Sequence, residues 1–141
     1  MSSRNGPIII IEDDLDDQDM FRLVLGELKV SNEIKMFNNC PEALNYLMDT
    51  PDKPFLIISD INLPTMSGLE MRRRISDSAR LRKKSIPFIF LSTSSKMDSV
   101  ETAYELMVQG YFTKPNSLPE LKEMLRMIVG YWKVCKHPNA D

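Results

Sequence analysis

The sequence predicts an α/β domain in which one parallel sheet lies between helices on both of its faces. Short, unbroken runs of apolar residues recur along the chain, which is typical of strands that are buried on both sides. The segments between these runs place their apolar residues at helical spacing. Because strands and helices alternate over 141 residues, right-handed crossovers and a single domain are expected.

Five segments are predicted to be strands. Four isoleucines in a row, at 8–11, end abruptly at acidic residues, and the runs that begin at Phe55 and Phe88 also end at polar residues. The second segment alternates only weakly between apolar and polar residues. The predicted strands are residues 8–11, 33–37, 55–58, 88–91 and 110–113.

Five helices are predicted from apolar residues that recur every three or four positions. They cover about residues 15–29, 41–48, 69–77, 100–108 and 118–132. Residues 1–134 are therefore assigned to one domain. Residues 135–141, which include the single histidine, His137, are expected to form a loose C-terminal tail.

The composition argues against nucleic-acid, membrane and disulfide-rich classes of protein. The formal net charge is -2, so no overall basic field is available to hold a nucleic-acid backbone. No apolar run approaches the roughly 20 residues of a membrane span, and the N-terminus lacks the apolar region of a signal peptide. Cys40 and Cys135 fit neither a disulfide framework nor a metal-ligand spacing. A cytoplasmic protein with reduced thiols is expected.

Polar side chains stand where the predicted strands end. Parallel strands end at the same edge of a sheet, so these side chains are expected to meet there. Three carboxylates in close contact raise one another's pKa values, and a bound Mg²⁺ would relieve this repulsion. An ammonium and a hydroxyl group would suit the oxygens of a phosphoryl group during transfer. The residues are Glu12 and Asp13 after the first strand, Asp60 after the third, Ser92 after the fourth and Lys114 after the fifth.

Each of these residues alone has a more ordinary interpretation. Residues 12–14 could form a solvated helix start and Asp60 a helix cap. Ser92 could be a turn hydroxyl and Lys114 a surface charge. Their joint position after successive buried strands favours a phosphate-handling site instead. The sequence lacks the glycine-rich loop that cradles a nucleoside triphosphate, so such a donor is not expected.

Four segments, in this order along the chain, resemble the motifs of the response regulator receiver family. They are IIIIEDD at 8–14, SDINLPTMSG at 59–68, FLSTS at 90–94 and YFTKP at 111–115. The resemblance covers nearly the whole chain and implies the flavodoxin-like receiver fold, a five-stranded parallel sheet with strand order 2-1-3-4-5. Glu12 in place of a common aspartate, and Ser67 in place of the aspartate that often precedes Gly68, depart from the family pattern.

The same resemblance implies a phosphoacceptor and its metal ligands. Asp60 would accept the phosphoryl group and would also contact Mg²⁺. Asp13 would bind Mg²⁺ directly, Glu12 mostly through water, and Asn62 through its backbone carbonyl.

The resemblance also implies a conformational switch at the ends of the fourth and fifth strands. Ser92 and Tyr111 match the two switch positions of the family, and Lys114 matches the lysine that pairs with the phosphoryl group. Phosphorylation would draw Ser92 toward the phosphoryl oxygens and let Tyr111 turn inward. The peptide bond between Lys114 and Pro115 is expected to be cis, as in relatives.

These roles imply a single-domain response regulator of two-component phosphorelay signalling, not an enzyme in its own right. A sensor histidine kinase would donate the phosphoryl group to Asp60, and a downstream protein target, which the sequence does not name, would bind the phosphorylated face. Segments 80–87, 91–94 and 128–132 further resemble small stand-alone receivers that serve bacterial phytochrome kinases. A kinase of that type is therefore the expected donor.

A Mg²⁺-dependent phosphohydrolase with an aspartyl-phosphate intermediate is the alternative reading. Such an enzyme usually carries a second aspartate two residues after its nucleophile, where it acts as acid and base. Asn62 occupies that position here, so the signalling function is favoured.

The final helix carries a second apolar stripe beside the one that is expected to face the sheet. Met127, Tyr131 and Val134 follow i, i+4, i+7 spacing on a side where a monomer would present charge to water. Cover by the tail, or the scattered apolar exposure common on protein surfaces, would explain the stripe in ordinary terms. A homodimer formed through the C-terminal helix is the functional interpretation.

Overall fold

The sheet has five parallel strands in the order β2-β1-β3-β4-β5. A computed structural model of the protein describes residues 3–93 and 96–138. The predicted α/β class and strand order are confirmed, and each predicted strand lies within one residue of its observed bounds. The strands are β1 Ile8–Ile11, β2 Ile34–Phe37, β3 Leu56–Ser59, β4 Phe88–Ser92 and β5 Gly110–Thr113.

Helices cover both faces of this sheet, as predicted. They are α1 Leu15–Glu27, α2 Cys40–Asp49, α3 Gly68–Asp77, α4 Ala79–Lys83, α5 Met97–Glu105 and α6 Leu118–Val134, and a single 3₁₀ turn covers Ser3–Asn5. The short helix α4 was not predicted, because five residues rich in arginine and lysine carry little apolar periodicity. Its N-cap residue is Ser78, whose side chain accepts a hydrogen bond from the backbone N–H of Leu81. No helix in the described part of the chain is long and apolar enough to cross a membrane.

Two apolar clusters hold the helices against the sheet, one on each face. Strand β1 contributes to both, since alternate residues of a strand point to opposite faces. Ile8 and Ile10 pack with residues of α1 and α6, whereas Ile9 and Ile11 pack with residues of α2, α3 and α5. All four isoleucines are completely buried. The unbroken apolar run in the sequence therefore reflects a strand with no solvent-facing side.

The start of the predicted tail is docked on the domain. His137 is buried, its Nε2 lies 2.7 Å from the backbone carbonyl oxygen of Phe55, and its ring stacks on the Phe55 ring at 5.4 Å. The Phe55 ring also contacts Lys133, whose Nζ lies 4.9 Å from the centre of the ring. The expectation of a loose tail is therefore wrong at His137. Nothing in this polar, proline-containing segment of the sequence signals that its histidine ring packs on a distant residue. Residues 139–141 lie outside the described part of the chain.

Candidate functional site

Asp60 lies at the carboxyl end of β3 and is 8% exposed. Its Oδ1 accepts hydrogen bonds from the backbone N–H of Ile61 at 2.6 Å and from the Ser92 hydroxyl at 2.7 Å. Its Oδ2 accepts a hydrogen bond from Lys114 Nζ at 3.2 Å. Both oxygens are therefore held by hydrogen-bond donors, as the polar atoms of buried side chains usually are.

Lys114 is the positive centre of the site. Its ammonium lies 2.5 Å from Glu12 Oε1, 2.8 Å from Asp17 Oδ2 and 3.2 Å from Asp60 Oδ2, and its side chain is only 12% exposed. Burial opposes the charged form, but the hydrogen bonds to Asp17 and Glu12 outweigh it and raise the pKa of Lys114. The lysine is therefore an ammonium ion at any physiological pH.

Glu12 is the most deeply buried carboxylate of the site, at 2% exposed. Burial raises the pKa of its carboxyl group, and the hydrogen bond from Lys114 opposes that rise. Its Oε2 also accepts a hydrogen bond from the backbone N–H of Asp14 at 3.2 Å. The loop around Glu12 is held by Gln18, whose amide nitrogen donates to the Glu12 carbonyl and to Asn38 Oδ1.

The loop after β3 owes its path to a close backbone approach at Gly68. The Gly68 N–H donates to the Ile61 carbonyl at 2.8 Å. A Cβ atom at position 68 would lie 2.2 Å from the Asp60 carbonyl oxygen and 2.8 Å from the Phe90 ring. Only glycine fits there without a shift of the Asp60 backbone. The glycine noted in the sequence motif therefore serves the geometry of the candidate phosphoacceptor.

The two candidate switch residues lie on the neighbouring strands β4 and β5. Ser92 ends β4 and is fully buried, with its hydroxyl on Asp60. Tyr111 is in β5, where it pairs with Phe90 in the strand register, and the two rings lie 6.0 Å apart. The tyrosine ring is half-buried. Ser92 therefore contacts Asp60 directly, whereas Tyr111 is the second residue of β5, and β4 lies between that strand and β3. The switching role of both residues stays a prediction.

Only two of the four predicted metal ligands contact a common group in this structure. Glu12 and Asp60 converge on Lys114 Nζ, whereas Asp13 and Asn62 are exposed at the rim. Within the described residues, no three His, Cys, Asp or Glu side chains are placed so that together they could hold a metal ion. Neighbouring residues of an extended chain point to opposite sides, which explains why Glu12 turns inward and Asp13 outward.

The two carboxylates that do converge, those of Glu12 and Asp60, nevertheless suit a hard cation. Mg²⁺ is usually bound through one or two carboxylates and keeps several waters, so two carboxylates at the sheet edge suffice as protein ligands. Glu12 and Asp60 already share one positive charge, that of Lys114. The assignments of Asp13 and of the Asn62 carbonyl as ligands stay predictions.

Two details of the site differ from the sequence-based expectations. The described residues contain no cis peptide bond, so the expected cis bond between Lys114 and Pro115 is wrong; the trans form is the intrinsically favoured one even before proline. Asp17 was not predicted to belong to the site, although it binds Lys114. No local signal in the sequence identifies it, because its partner is 97 residues away along the chain.

Comparison with known proteins gives consistent matches. A sequence model of the response regulator receiver domain matches residues 8–126. Over 140 residues, the chain is 30% identical to the response regulator Rcp1 of a Synechocystis strain, and the match covers 94% of each chain.

Two solved structures also resemble this one over almost their whole length. The phosphorylated cyanobacterial phytochrome response regulator RcpA has a TM-score of 0.85 at 29% identity, with 94% of this chain and 97% of that chain covered. The Mn²⁺-bound form of Rcp1 has a TM-score of 0.82 at 29% identity, with 94% and 98% covered. The predicted fold and the predicted resemblance to phytochrome response regulators are confirmed.

The close approach at Gly68 gives a stability prediction. Gly68→Ala should lower the free energy of unfolding by about 1–3 kcal/mol, because the new methyl group must displace the Asp60 backbone or the Phe90 ring. Urea denaturation would measure the change. Gly26→Ala is the matched control: outside its chain neighbours and the backbone of its own helix, no heavy atom lies within 4 Å of the added Cβ. Alanine should stabilise the helix by up to about 1 kcal/mol. Equal stability of the two variants would contradict the role assigned to Gly68.

Proposed function

This chain belongs to the response regulator receiver family, and we propose that it is a single-domain response regulator that accepts a phosphoryl group on Asp60. The observation that carries the proposal is the set of donors around this carboxylate. Ile61 N–H and the Ser92 hydroxyl donate to one oxygen, and the Lys114 ammonium donates to the other. A carboxylate held in this way has a fixed orientation beside a fixed positive charge.

The chemistry is phosphoryl transfer to a carboxylate. A carboxylate oxygen of Asp60 forms a bond to phosphorus while the bond between phosphorus and a histidine nitrogen of the kinase breaks. Negative charge is spread over the equatorial phosphoryl oxygens, where Lys114 and Ser92 offer an ammonium and a hydroxyl donor. The chain thus orients the acceptor and offsets the charge, and the kinase supplies the donor histidine.

A divalent cation completes the proposed site. Glu12 and Asp60 would hold Mg²⁺, together with Asp13 and the backbone carbonyl of Asn62 as ligands implied by the family resemblance. Bound there, the cation would neutralise charge on the phosphoryl oxygens. The convergence of Glu12 and Asp60 on one ammonium supports the assignment, and so does the existence of a Mn²⁺-bound form of the relative Rcp1.

The proposed partners are a sensor histidine kinase and a downstream protein. A kinase of phytochrome type is the favoured donor, because the similar protein RcpA is a phytochrome response regulator. The downstream protein would recognise the phosphorylated face. The chain would act in the reducing cytoplasm, which suits its two free cysteine thiols. It would assist only its own phosphorylation and dephosphorylation and would not turn over a separate substrate.

The phosphohydrolase alternative has no support from the site. An enzyme of that class places a second carboxylate two residues after its nucleophile as acid and base. Asn62 holds that position and cannot exchange a proton in this way.

The switch is proposed to run from Ser92 to Tyr111. New negative charge at Asp60 would keep the Ser92 hydroxyl on a phosphoryl oxygen. Ser92 would be drawn toward the phosphoryl group, and the Tyr111 ring, which lies 6.0 Å from the Phe90 ring on β4, would turn inward into the vacated space.

A homodimer through α6 is proposed from the apolar stripe on its outer side. Met127, Tyr131 and Val134 are 51%, 64% and 86% exposed, so the docked start of the tail does not cover them. Met127 and Tyr131 also line a groove that reaches Phe112 on the edge strand β5. A two-fold axis beside α6 would place this surface against its own copy, as self-complementary interfaces require.

Asp60→Asn should abolish phosphate incorporation and leave the fold intact, because the amide keeps the shape of the carboxylate but is not a nucleophile. Mass spectrometry with peptide mapping after treatment with acetyl phosphate and Mg²⁺ would measure it. Asp49→Asn, an exposed aspartate at the end of α2, is the control and should be phosphorylated as the wild type is. Phosphate on any residue other than Asp60 in the wild type would refute the assignment.

Ser92→Ala should still accept phosphate at Asp60 but should lose the coupled change at Tyr111, because the hydroxyl that joins β4 to the phosphoryl group is gone. Nuclear magnetic resonance of the tyrosine rings, before and after acetyl phosphate treatment, would report the change. Thr113→Ala removes an exposed hydroxyl group nearby and should respond as the wild type does. An equal Tyr111 response in the Ser92 variant would end the switch proposal.

Met127→Lys with Tyr131→Lys should dissociate the dimer without unfolding the chain, since two charges cannot be buried unpaired in a self-complementary surface. Analytical ultracentrifugation over a wide concentration range, with and without acetyl phosphate, would show it. Leu23→Lys with Tyr104→Lys is the matched control, because these side chains are 51% and 50% exposed on other helices. A wild type that stays monomeric in both states would contradict the dimer.

A further inference from the structure

A third carboxylate, Asp17, contacts the ammonium of Lys114 and is not used by the proposed phosphoryl transfer. Its Oδ2 lies 2.8 Å from Lys114 Nζ, and the two side chains are 24% and 12% exposed. This ion pair therefore lies at the boundary of the pocket and is only partly screened by water.

Helix α1 fixes the position of Asp17. The helix begins at Leu15, and the Asp17 backbone N–H donates to the side chain of Asp14 at 3.0 Å. The next residue, Gln18, ties the same turn to the Glu12 carbonyl and to Asn38. The carboxylate of Asp17 is thus presented to Lys114 by a capped and anchored helical turn.

The other two partners of Lys114 are the carboxylates that would also serve Mg²⁺. Glu12 and Asp60 place oxygens on the ammonium at 2.5 Å and 3.2 Å. An ammonium and a divalent cation compete for the same oxygens, since both are attracted by the same charge. Binding of Mg²⁺ must therefore weaken the contacts between Lys114 and these two residues.

We propose that Asp17 is a positioning residue, which keeps Lys114 beside Asp60 when Mg²⁺ takes over the oxygens of Glu12 and Asp60. This inference rests on the proposed function, because it assigns Lys114 a role at the phosphoryl group. Asp17 is the one carboxylate of the three that the proposed metal site does not need. Asp17 holds the Lys114 ammonium at the pocket while Glu12 and Asp60 exchange their contacts with it for contacts with Mg²⁺. The free energy of Mg²⁺ binding thereby becomes more favourable.

Asp17→Asn should therefore weaken Mg²⁺ binding and slow phosphorylation. Without Asp17, Lys114 has only Glu12 and Asp60 as anionic partners among these contacts, and Mg²⁺ must displace it from both. We expect the Mg²⁺ dissociation constant to rise by about threefold to tenfold, toward the lower end of the coupling seen between contacting residues. The rate with acetyl phosphate at saturating Mg²⁺ should also fall, because the ammonium is no longer held at the site.

A double-mutant cycle separates positioning from the simple loss of one negative charge. Asp16→Asn removes the same charge from the neighbouring, exposed residue of α1 and should change the dissociation constant far less. In a Lys114→Met background, Asp17→Asn should have no more effect than Asp16→Asn. Asp17→Glu, which keeps a carboxylate on the same turn, should restore Mg²⁺ binding. Isothermal titration calorimetry with Mg²⁺ alone would measure all of these variants.

The outcomes separate this inference from the proposed function. If the wild type is phosphorylated on Asp60 but Asp17→Asn binds Mg²⁺ as Asp16→Asn does, the positioning role is overturned and the function stands. An effect of Asp17→Asn that persists undiminished in the Lys114→Met background also overturns it. If the wild type takes up no phosphate, the proposed function fails. A urea-denaturation cycle on Asp17 and Lys114 in metal-free buffer then tests their coupling directly, and additive changes in stability would reject it.

Discussion

The rest of the site depends on the ion pairs that the Lys114 ammonium forms. Three carboxylates, those of Glu12, Asp17 and Asp60, lie within 3.2 Å of it. Negative charges this close to one another repel in a mostly buried pocket, and the ammonium offsets that repulsion. Because Lys114 follows β5 whereas its partners follow β1 and β3 or lie on α1, this one cation ties together distant parts of the chain.

The sheet makes this convergence unavoidable. In a parallel sheet the carboxyl ends of all strands lie on one edge, so residues that follow successive strands become neighbours. Strands β1, β3 and β4 are buried on both faces, and their apolar runs contribute to both core clusters. These three strands contain no charged residue, whereas the edge strand β2 carries Lys35. The charged residues of the site therefore stand at the strand ends.

A structural feature was predictable from the sequence when the residues that form it are close together along the chain, and was missed when they are far apart. Strands and the longer helices were predictable because their apolar periodicity is local. The convergence of Asp60, Ser92 and Lys114 was predictable because each stands at the carboxyl end of a strand or directly after it. Asp17 and His137 were missed as functional or core residues because their partners, Lys114 and Phe55, are 97 and 82 residues away. Helix α4 was missed because it depends on the cap at Ser78 more than on an apolar stripe.

Strand β5 connects the site to the outer surface of α6. Successive residues of a strand point to opposite faces, and here Tyr111 packs with the cluster beneath α2, α3 and α5 whereas Phe112 packs with the cluster beneath α1 and α6. Lys114, two residues further on, is joined to β4 by a hydrogen bond from its backbone N–H to the Ser92 carbonyl at 2.8 Å. A shift of this short edge strand cannot move Tyr111 without moving Phe112, which lines the groove beside Met127 and Tyr131. Because closely packed interiors transmit displacement instead of absorbing it, we expect a displacement at the Asp60 end of the sheet to reach the α6 surface through the four residues of β5.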